Sequence, residues 1–152
     1  MDRDSNPKGT YILIIELNDE EKIVVGSLGE ITFGRGIYAY VGSAMGPGGI
    51  VGRVLRHLRR NKKKFWHIDY LLDKARIIRI IVFKSEERLE CKIAEEMRRY
   101  GLEYILRFGS SDCRCPSHLF KLRSIDDLLL LLRNLDIGYM EYNPEEFVQT
   151  YS

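Results

Sequence analysis

The sequence has little of what marks a secreted or membrane-spanning protein. Its 152 residues include only three cysteines, an odd number that does not indicate a disulfide framework. It has no apolar run of about 18 residues, so we expect no membrane span. The first residues, MDRDSNPKG, are polar and unlike a secretory signal. These absences predict a cytoplasmic protein with no membrane partner.

Net positive charge is also small, but it is concentrated in one place. The formal net charge is +2, whereas residues 53–64 contain seven arginines or lysines and no acidic residue. For binding a phosphate backbone, such a local cluster matters more than the total charge. The length and the 45% hydrophobic content predict one domain over residues 1–152. We expect its core at about 9–122 and a C-terminal helix and tail at 124–152.

Hydrophobic periodicity predicts most of the secondary structure. Apolar and alternating runs predict strands at residues 10–17, 23–25, 30–33, 37–41, 76–83, 104–108 and 118–122, the second and third forming an inserted hairpin. Helical periods predict helices from residue 50, at 65–74, at 86–100, and from the Ser124 cap to 135, followed by a loosely packed polar tail. The fold class is therefore α/β or α+β, with a small, mostly antiparallel sheet flanked by helices.

The leucine-rich helix at Ile125–Leu135 is apolar on nearly every side. Such a helix is either completely buried or covered by a partner. Two interpretations stay open, a buried core helix or the face of a homodimer. The same helix also allows a protein-interaction adaptor as an alternative function.

Several short motifs follow one another in a defined order. They are Gly9-Thr10-Tyr11, Tyr40-Val41-Gly42, Arg53 and His57 four residues apart, and Glu90 on a later helix. This ordered set resembles the GIY-YIG nuclease family, which includes homing endonucleases and the incision nuclease of bacterial excision repair. The resemblance covers residues 9–120 and is closest to a stand-alone branch whose members also occur fused to a DNA glycosylase. It implies a GIY-YIG-like fold and a role in DNA repair.

The resemblance implies that Glu90 binds a single Mg²⁺ or Mn²⁺ ion. On its predicted helix, Glu90 falls between Met97 and Ala94, inside the apolar arc. A carboxylate that faces a core is costly unless it is paired or binds a metal. The alternatives are a residue at the helix edge that reaches solvent, or an ion-pair partner for Arg53.

The other catalytic candidates lie on the basic helix and the two tyrosine strands. By resemblance, Arg53 stabilises charge on the phosphate under attack, and His57 is a general base or an orienting group. Tyr11 and Tyr40 orient the attacking water or help to deprotonate it. Tyr38, in the string Gly36-Ile37-Tyr38, is a third candidate because it shares a strand face with Tyr40. Each of these residues could instead be an ordinary core or surface side chain.

The remaining basic residues predict contact with nucleic acid. We expect the phosphate backbone to be held, without sequence reading, by Arg56, Arg59, Arg60, Lys62, Lys63 and Lys64. The glycines at 46–49 could cradle a phosphate at the start of the helix or simply shape the turn. His67 matches the family only weakly and could equally hydrogen-bond Asp69 or the backbone.

The segment FGSSDCRCPSHLF departs from the family pattern. Many members have an asparagine after the glutamate helix, and none occurs here between Glu90 and Asn134. The substitutes available in the sequence are Asp112, Ser111 and Ser117. Cys113, Cys115 and His118, with Cys91 as a fourth ligand, could bind a metal, but C-x-C-x-x-H is not a standard zinc spacing. Free thiols are therefore the favoured interpretation.

Together these features predict a metal-dependent endonuclease that hydrolyses phosphodiester bonds. We expect structure-selective cleavage, of DNA more than of RNA, because no separate DNA-reading module follows. The alternatives are a binding module of the same fold that has lost its chemistry, and the interaction adaptor.

Overall fold

Two nine-residue strands form the centre of the fold in a computed structural model, which describes residues 7–110 and 113–151. They are β1 (Gly9–Leu17) and β4 (Gly36–Ala44), and they pair antiparallel along their full length. The other strands are β2 (Glu21–Val24), β3 (Glu30–Phe33), β5 (Arg76–Lys84), β6 (Glu103–Tyr104), β7 (Leu119–Leu122) and β8 (Met140–Tyr142). The described residues thus form an antiparallel sheet in the order β6-β7-β4-β1-β5-β8 and a separate β2-β3 hairpin, which confirms the predicted mixed α/β class.

Helices cover both faces of this sheet. They are α1 (Gly49–Leu58), α2 (His67–Leu72), α3 (Glu90–Arg99), α4 (Ile125–Leu135) and α5 (Pro144–Tyr151). On one face, α1, α2, α5 and the hairpin pack against alternate residues of β1, such as Leu13 and Ile15. On the other face, α3 and α4 pack against Ile12 and Ile14. Because both faces are buried, β1 is a continuous apolar run rather than an alternating one.

The inserted hairpin is present as predicted. Strands β2 and β3 pair with each other from Glu21↔Phe33 to Val24↔Glu30 and lie outside the main sheet. Ile23 and Phe33 join the core on the α1 side. The long interval between Tyr11 and Tyr40 is therefore filled by a hairpin that leaves the pairing of β1 with β4 uninterrupted.

The largest differences from the sequence prediction lie at α3, at β6 and in the tail. Helix α3 starts at Glu90 rather than at residue 86, because the chain before it turns between residues 85 and 89. Strand β6 is only Glu103–Tyr104, and residues 106–109 form a turn instead of continuing the strand. The tail does not pack loosely: β8 extends the sheet edge, and α5 buries Phe147 completely. The sequence analysis missed this packing because most residues of the tail are polar and only one narrow side of α5 is apolar.

The leucine-rich helix α4 is partly buried. The Ser124 hydroxyl accepts a hydrogen bond from the Asp127 amide at 3.4 Å, so Ser124 is the predicted N-cap. Leu128, Leu131 and Leu132 are buried against the sheet, whereas Leu130 is 45% exposed. A homodimer through this helix stays a prediction. Among the described residues, no helix has the length and apolarity needed to cross a membrane.

Candidate active site

A cleft of about 520 Å³ lies at one end of the central strands. Its walls include Gly42 and Ser43 at the end of β4, Arg53 on α1 and Glu90 at the start of α3. Although α1 and α3 cover opposite faces of the sheet, both begin near this end. The Leu89 amide donates to the Thr10 hydroxyl at 3.3 Å, which fixes the start of α3 beside the start of β1. The cleft is therefore the place where both faces meet.

Tyr11, Tyr40 and His57 form a connected aromatic group beside the cleft. The Tyr11 hydroxyl and His57 Nε2 are 2.7 Å apart, and both side chains are buried. The Tyr40 ring lies edge-on to His57 with centroids 6.3 Å apart. Tyr40 lines the cleft directly, and Tyr11 lies behind it. Tyr11 is opposite Gly42 in the β1–β4 register, so Tyr11 and Tyr40 are diagonal neighbours on one sheet face.

Two glycines make room for these tyrosines. A Cβ atom on Gly42 would overlap the phenol ring and hydroxyl of Tyr11. A Cβ atom on Gly109 would come within 2.9 Å of the Tyr40 ring, and Gly109 has a φ of +70°, which other residues rarely adopt. The glycine of Tyr40-Val41-Gly42 is thus explained by the close approach of a phenol across the sheet.

His57 is held as a neutral imidazole. Burial, helped by the neighbouring cations Arg53, Arg56 and Lys62 and opposed by Asp69, lowers its pKa to about 3. His57 Nδ1 is buried and has no hydrogen-bond partner in the part of the chain that the structure describes. A buried unpaired N–H is rarer than an unpaired acceptor, which favours the tautomer with its proton on Nε2. In that tautomer His57 donates to the Tyr11 hydroxyl.

The buried imidazole predicts a pH dependence of stability. Because the folded-state pKa of His57 is about 3 and the unfolded value is about 6.5, the unfolded chain binds more protons between these two pH values. Stability therefore falls as pH falls through this window. Between pH 7 and pH 5, the wild type should lose about 2 kcal/mol more unfolding free energy than His57→Gln does. Chemical denaturation of both proteins at the two pH values measures this difference, and equal losses would show that His57 is not buried and neutral.

Both tyrosines are protonated in the resting site. Burial raises the pKa of Tyr11, and the neighbouring Tyr40 raises it further, while Arg53 lowers it. Burial also raises the pKa of Tyr40, as does the nearby Glu90 carboxylate. A neutral phenol can orient a water molecule through its hydroxyl. It becomes a base only when additional positive charge is brought close to it.

Arg53 is fixed at the cleft wall by two contacts. Its Nη1 donates to the Ser43 carbonyl at 3.0 Å, and its guanidinium carbon lies 4.3 Å from the centroid of the Trp66 ring. The carbonyl takes one of five guanidinium N–H donors. Stacking on Trp66 restricts the side chain, so the guanidinium is held in position before any ligand arrives.

Arg56 has a structural position instead. It forms a two-pronged ion pair with the Asp69 carboxylate, with both N–O distances 3.0 Å, and it also donates to the Lys63 carbonyl. Burial raises the pKa of Asp69, but hydrogen bonds from Arg56 and from the amides of Trp66 and Phe65 outweigh burial and lower it. Arg56 and Asp69 therefore fix the segment that carries Trp66. Sequence reasoning placed Arg56 among phosphate-binding residues, whereas its guanidinium is bound to this buried carboxylate.

The rest of the basic run divides into two groups. Lys62 donates to the carbonyls of His57 and Arg59 at the end of α1, and Lys64 pairs with Asp73 at 2.7 Å. The exposed members are Arg59, Arg60, Lys63 and Lys64. Arg59, Arg60 and Lys63 are thus the cations of this run best placed to reach a ligand.

Glu90 lies at the cleft rather than in the helix core. It is the first residue of α3, its side chain is 20% exposed, and its Oε2 lies 3.7 Å from His118 Nδ1. Glu90 lies on the same side of α3 as Ile93, Ala94 and Met97, which fill the apolar cluster, and it stands at the end of that side that opens to the cleft. A carboxylate in the first turn is also favoured by the helix dipole.

Other predicted residues lie elsewhere. The Tyr38 hydroxyl donates to the Gly34 carbonyl at 2.6 Å, near the opposite end of β4. His67 Nδ1 accepts from the Gly109 amide at 2.9 Å, so His67 supports the loop behind Tyr40. At the start of α1, the amides of residues 49 and 50 bond the carbonyls of Gly46 and Pro7, which leaves these amides engaged rather than open to a phosphate.

The proposed substitutes for the family asparagine are only partly described. Ser117 is completely buried, and its hydroxyl both donates to the Leu119 carbonyl and accepts from the Leu119 amide. It therefore stabilises the turn before β7 and does not face the cleft. Ser111 and Asp112 lie outside the described residues.

Sequence reasoning missed three contributors to the cleft. Arg88 lines it two residues before Glu90, Trp66 supports Arg53, and His118 contacts Glu90. Arg88 is two residues from Glu90 and Trp66 directly precedes His67. Proximity in the chain to these predicted residues was the signal that could have found them. His118 was considered only with the cysteines, since nothing in its spacing relates it to Glu90.

The structure also brings Cys91, Cys113, Cys115 and His118 together. One ligand atom from each lies within 4.8 Å of every other. The thiols are free, and burial raises the pKa of Cys115, helped by its hydrogen-bonded neighbours Cys91 and Cys113. The sequence analysis named this set, with Cys91 on α3 as the fourth member, but favoured free thiols because the spacing is not that of a standard zinc motif.

A comparison with known families covers this fold from β1 to α4. The model of the domain of unknown function DUF123 matches residues 10–136, and the chain belongs to that family. No curated protein and no solved structure matches the chain significantly.

Proposed function

We propose that this protein is a metal-dependent endonuclease of the GIY-YIG type, acting on phosphodiester bonds. The observation that supports this best is that Tyr40, Arg53 and Glu90, from β4, α1 and α3, line one cleft, while the hydrogen-bonded pair Tyr11 and His57 packs behind Tyr40. Arg53 and Glu90 are not ordinary core side chains, because both line an open cleft. A surface explanation fails for Tyr11 and His57, which are almost fully buried.

The donor set suits a hydrated Mg²⁺ or Mn²⁺ ion at Glu90. Mg²⁺ usually binds proteins through one or two carboxylates and keeps several waters. Glu90 supplies one carboxylate at the wall of a cleft large enough for water and a phosphate. Such an ion, when bound, would polarise the scissile phosphate or its leaving oxygen.

The tyrosines position the attacking water. Tyr40 reaches the cleft and orients the water through its hydroxyl, and Tyr11 supports it from behind. His57 has too low a pKa to be an efficient general base at neutral pH, so of its two predicted roles we favour orienting Tyr11. Donation from His57 Nε2 and the charge of Arg53 both favour the phenolate form of Tyr11. Tyr40 lines the cleft and Tyr11 does not, so Tyr40 is the phenol placed to take the proton of the water once a cation is bound, with Tyr11 and His57 behind it.

Arg53 binds the phosphate that is attacked. Its stack on Trp66 and its bond to the Ser43 carbonyl orient the guanidinium before substrate arrives. Negative charge that builds up on the phosphoryl oxygens during in-line attack is stabilised by donors already in place. Arg88, on the other side of the cleft, adds a second positive charge that can hold the same strand.

Binding along the nucleic acid comes from the exposed cations after α1. Replacing Arg59 and Arg60 together with alanine should weaken binding similarly for all sequences. It should also reduce the slope of log K against log salt by about 0.9 for each duplex phosphate that the variant no longer neutralises. The matched control is the pair Arg123→Ala and Arg133→Ala, exposed cations beside and on α4 at the other sheet face. Fluorescence anisotropy at several salt concentrations measures the slope for the variant and for the control. If the two slopes are equal, the basic run is a solvated surface that does not bind nucleic acid.

The direct test of the function is a cleavage panel. Labelled flaps, forks, duplexes, single strands and RNA are incubated with the protein and Mg²⁺ or Mn²⁺. We expect cleavage of a DNA structure that depends on the divalent metal. Salt-sensitive binding without cleavage would favour the non-catalytic binding module, for which the engaged hydroxyl of Ser117 is the supporting observation. Neither binding nor cleavage would favour the interaction adaptor.

A further inference from the structure

We infer that Cys91, Cys113, Cys115 and His118 form a structural zinc site. Three thiols and an imidazole come from two separate parts of the chain, α3 and the loop before β7. Their ligand atoms all lie within 4.8 Å of one another, and Cys113 Sγ is 3.3 Å from His118 Nε2. Cys115 also packs against the apolar cluster under α3 and α4.

The donor set and its dimensions suit tetrahedral zinc. Three cysteines and one histidine are an established set of ligands for structural zinc. With Zn–S bonds of about 2.3 Å, tetrahedral sulfur atoms lie roughly 3.8 Å apart. A shift of each ligand atom by a fraction of an ångström therefore closes the cluster around an ion. Soft thiolates disfavour Mg²⁺ at this position, so this site is distinct from the one proposed at Glu90.

Four protein ligands leave no position for a substrate, so the role is structural. The His118 amide donates to the Phe108 carbonyl, which ties the two ends of the loop together, and the Val41 amide donates to the His118 carbonyl, which ties the second end to the sheet. The described residues 113–117 of this loop belong to no helix or strand. Zinc bound by Cys91 would fasten this loop to α3. It would thereby fix Gly109, which packs on Tyr40.

The zinc site would form part of the cleft wall, because Cys91, Cys113 and His118 line the cleft beside Glu90. His118 Nε2 faces Cys113 Sγ, while its Nδ1 lies 3.7 Å from the Glu90 carboxylate. A histidine that binds zinc commonly donates its other ring N–H to a carboxylate, which fixes the ring. Through this contact the zinc site would hold Glu90 in place from behind, a consequence that rests on the proposed function. The presence of zinc itself does not depend on that function.

The experiment is metal analysis of the purified full chain. We expect one zinc per chain after dialysis against a buffer treated to remove metals. Replacement by Co²⁺ should give a visible spectrum typical of tetrahedral coordination with thiolate charge-transfer bands. Cys115→Ser should lose most of the zinc and weaken these bands. A protein that binds neither metal, or whose thiols join in a disulfide instead, would overturn the inference.

Two histidine variants keep the test informative if a cysteine variant fails to fold. His118→Cys preserves four suitable ligands and should retain zinc, whereas His118→Ala should release it. His67→Asn is the matched control, because His67 lies beside the same loop without contributing a ligand, and it should retain zinc. Glu90→Gln should keep the zinc stoichiometry, so loss of cleavage and loss of zinc are separable. Equal zinc in His118→Ala and wild type would contradict the assignment.

Discussion

Arg53→Ala should lower the single-turnover cleavage rate by about a hundredfold while affinity for nucleic acid stays within a few-fold. The guanidinium is held by the Ser43 carbonyl and the Trp66 ring at the wall of the cleft. A donor that is positioned in advance stabilises the transition state more than the bound substrate, and losing one costs about 3 kcal/mol. Single-turnover rates at saturating protein, with anisotropy for affinity, separate the two effects.

Two other variants separate an effect on catalysis from an effect on binding. Arg59→Ala, on an exposed cation at the end of the same helix, should weaken binding and leave the saturated rate nearly unchanged. Arg53→Lys keeps the charge but loses the planar fork and the stack on Trp66, so it should recover only part of the rate. If Arg53→Ala loses binding and rate equally, Arg53 is a docking residue and the proposed role is wrong.

Glu90→Gln should lower cleavage by roughly a thousandfold or more, because it removes the charge that holds the divalent metal. The change is nearly isosteric. The first turn of α3 favours the charge of Glu90, so the metal-free mutant should melt slightly below the wild type. Divalent metal at about 100 times its Kd should stabilise the wild type by about 2.7 kcal/mol and leave the mutant almost unaffected.

The control for Glu90 is Glu87→Gln. Glu87 is exposed and three residues earlier in the chain, so its loss changes the net charge equally. Cleavage and the response to metal should stay at wild-type values. Thermal unfolding of all three proteins, with and without Mg²⁺, measures the comparison. A Glu90→Gln protein that is still stabilised by Mg²⁺ would place the metal elsewhere.

Residue patterns within single segments of the sequence predicted the strands, helices and hairpin that such patterns determine. The strands β1 and β4 carry long β-branched or tyrosine-rich runs, and α1 shows a clear helical period, so these elements were found with small errors. The helical period also predicted that Arg53 and His57, four residues apart, lie on one side of α1. The hairpin was predicted because turn residues separate two short apolar runs.

Contacts between distant segments could not be predicted. The pairing of Arg56 with Asp69 depends on how α2 returns onto α1, and no pattern within either helix indicates it. The start of α3 at Glu90 depends on a bond to Thr10 on β1. Cys91, Cys113, Cys115 and His118 were named as possible metal ligands, but the approach of their ligand atoms depends on a loop that folds back beside α3. In each case the residues that form the contact were present in the sequence, but tertiary packing determined which of them contact one another.

The central claim is that water attacks a phosphodiester bond in this cleft. It is tested most directly by cleaving a DNA substrate from the panel in H₂¹⁸O under single-turnover conditions, with wild type and Glu90→Gln purified side by side. The product ends are then weighed by mass spectrometry. We predict that one ¹⁸O atom enters the terminal phosphate of the wild-type product and that the mutant forms almost none of this product. Cleavage of equal extent by both proteins, or a product phosphate without the label, would contradict the proposed mechanism.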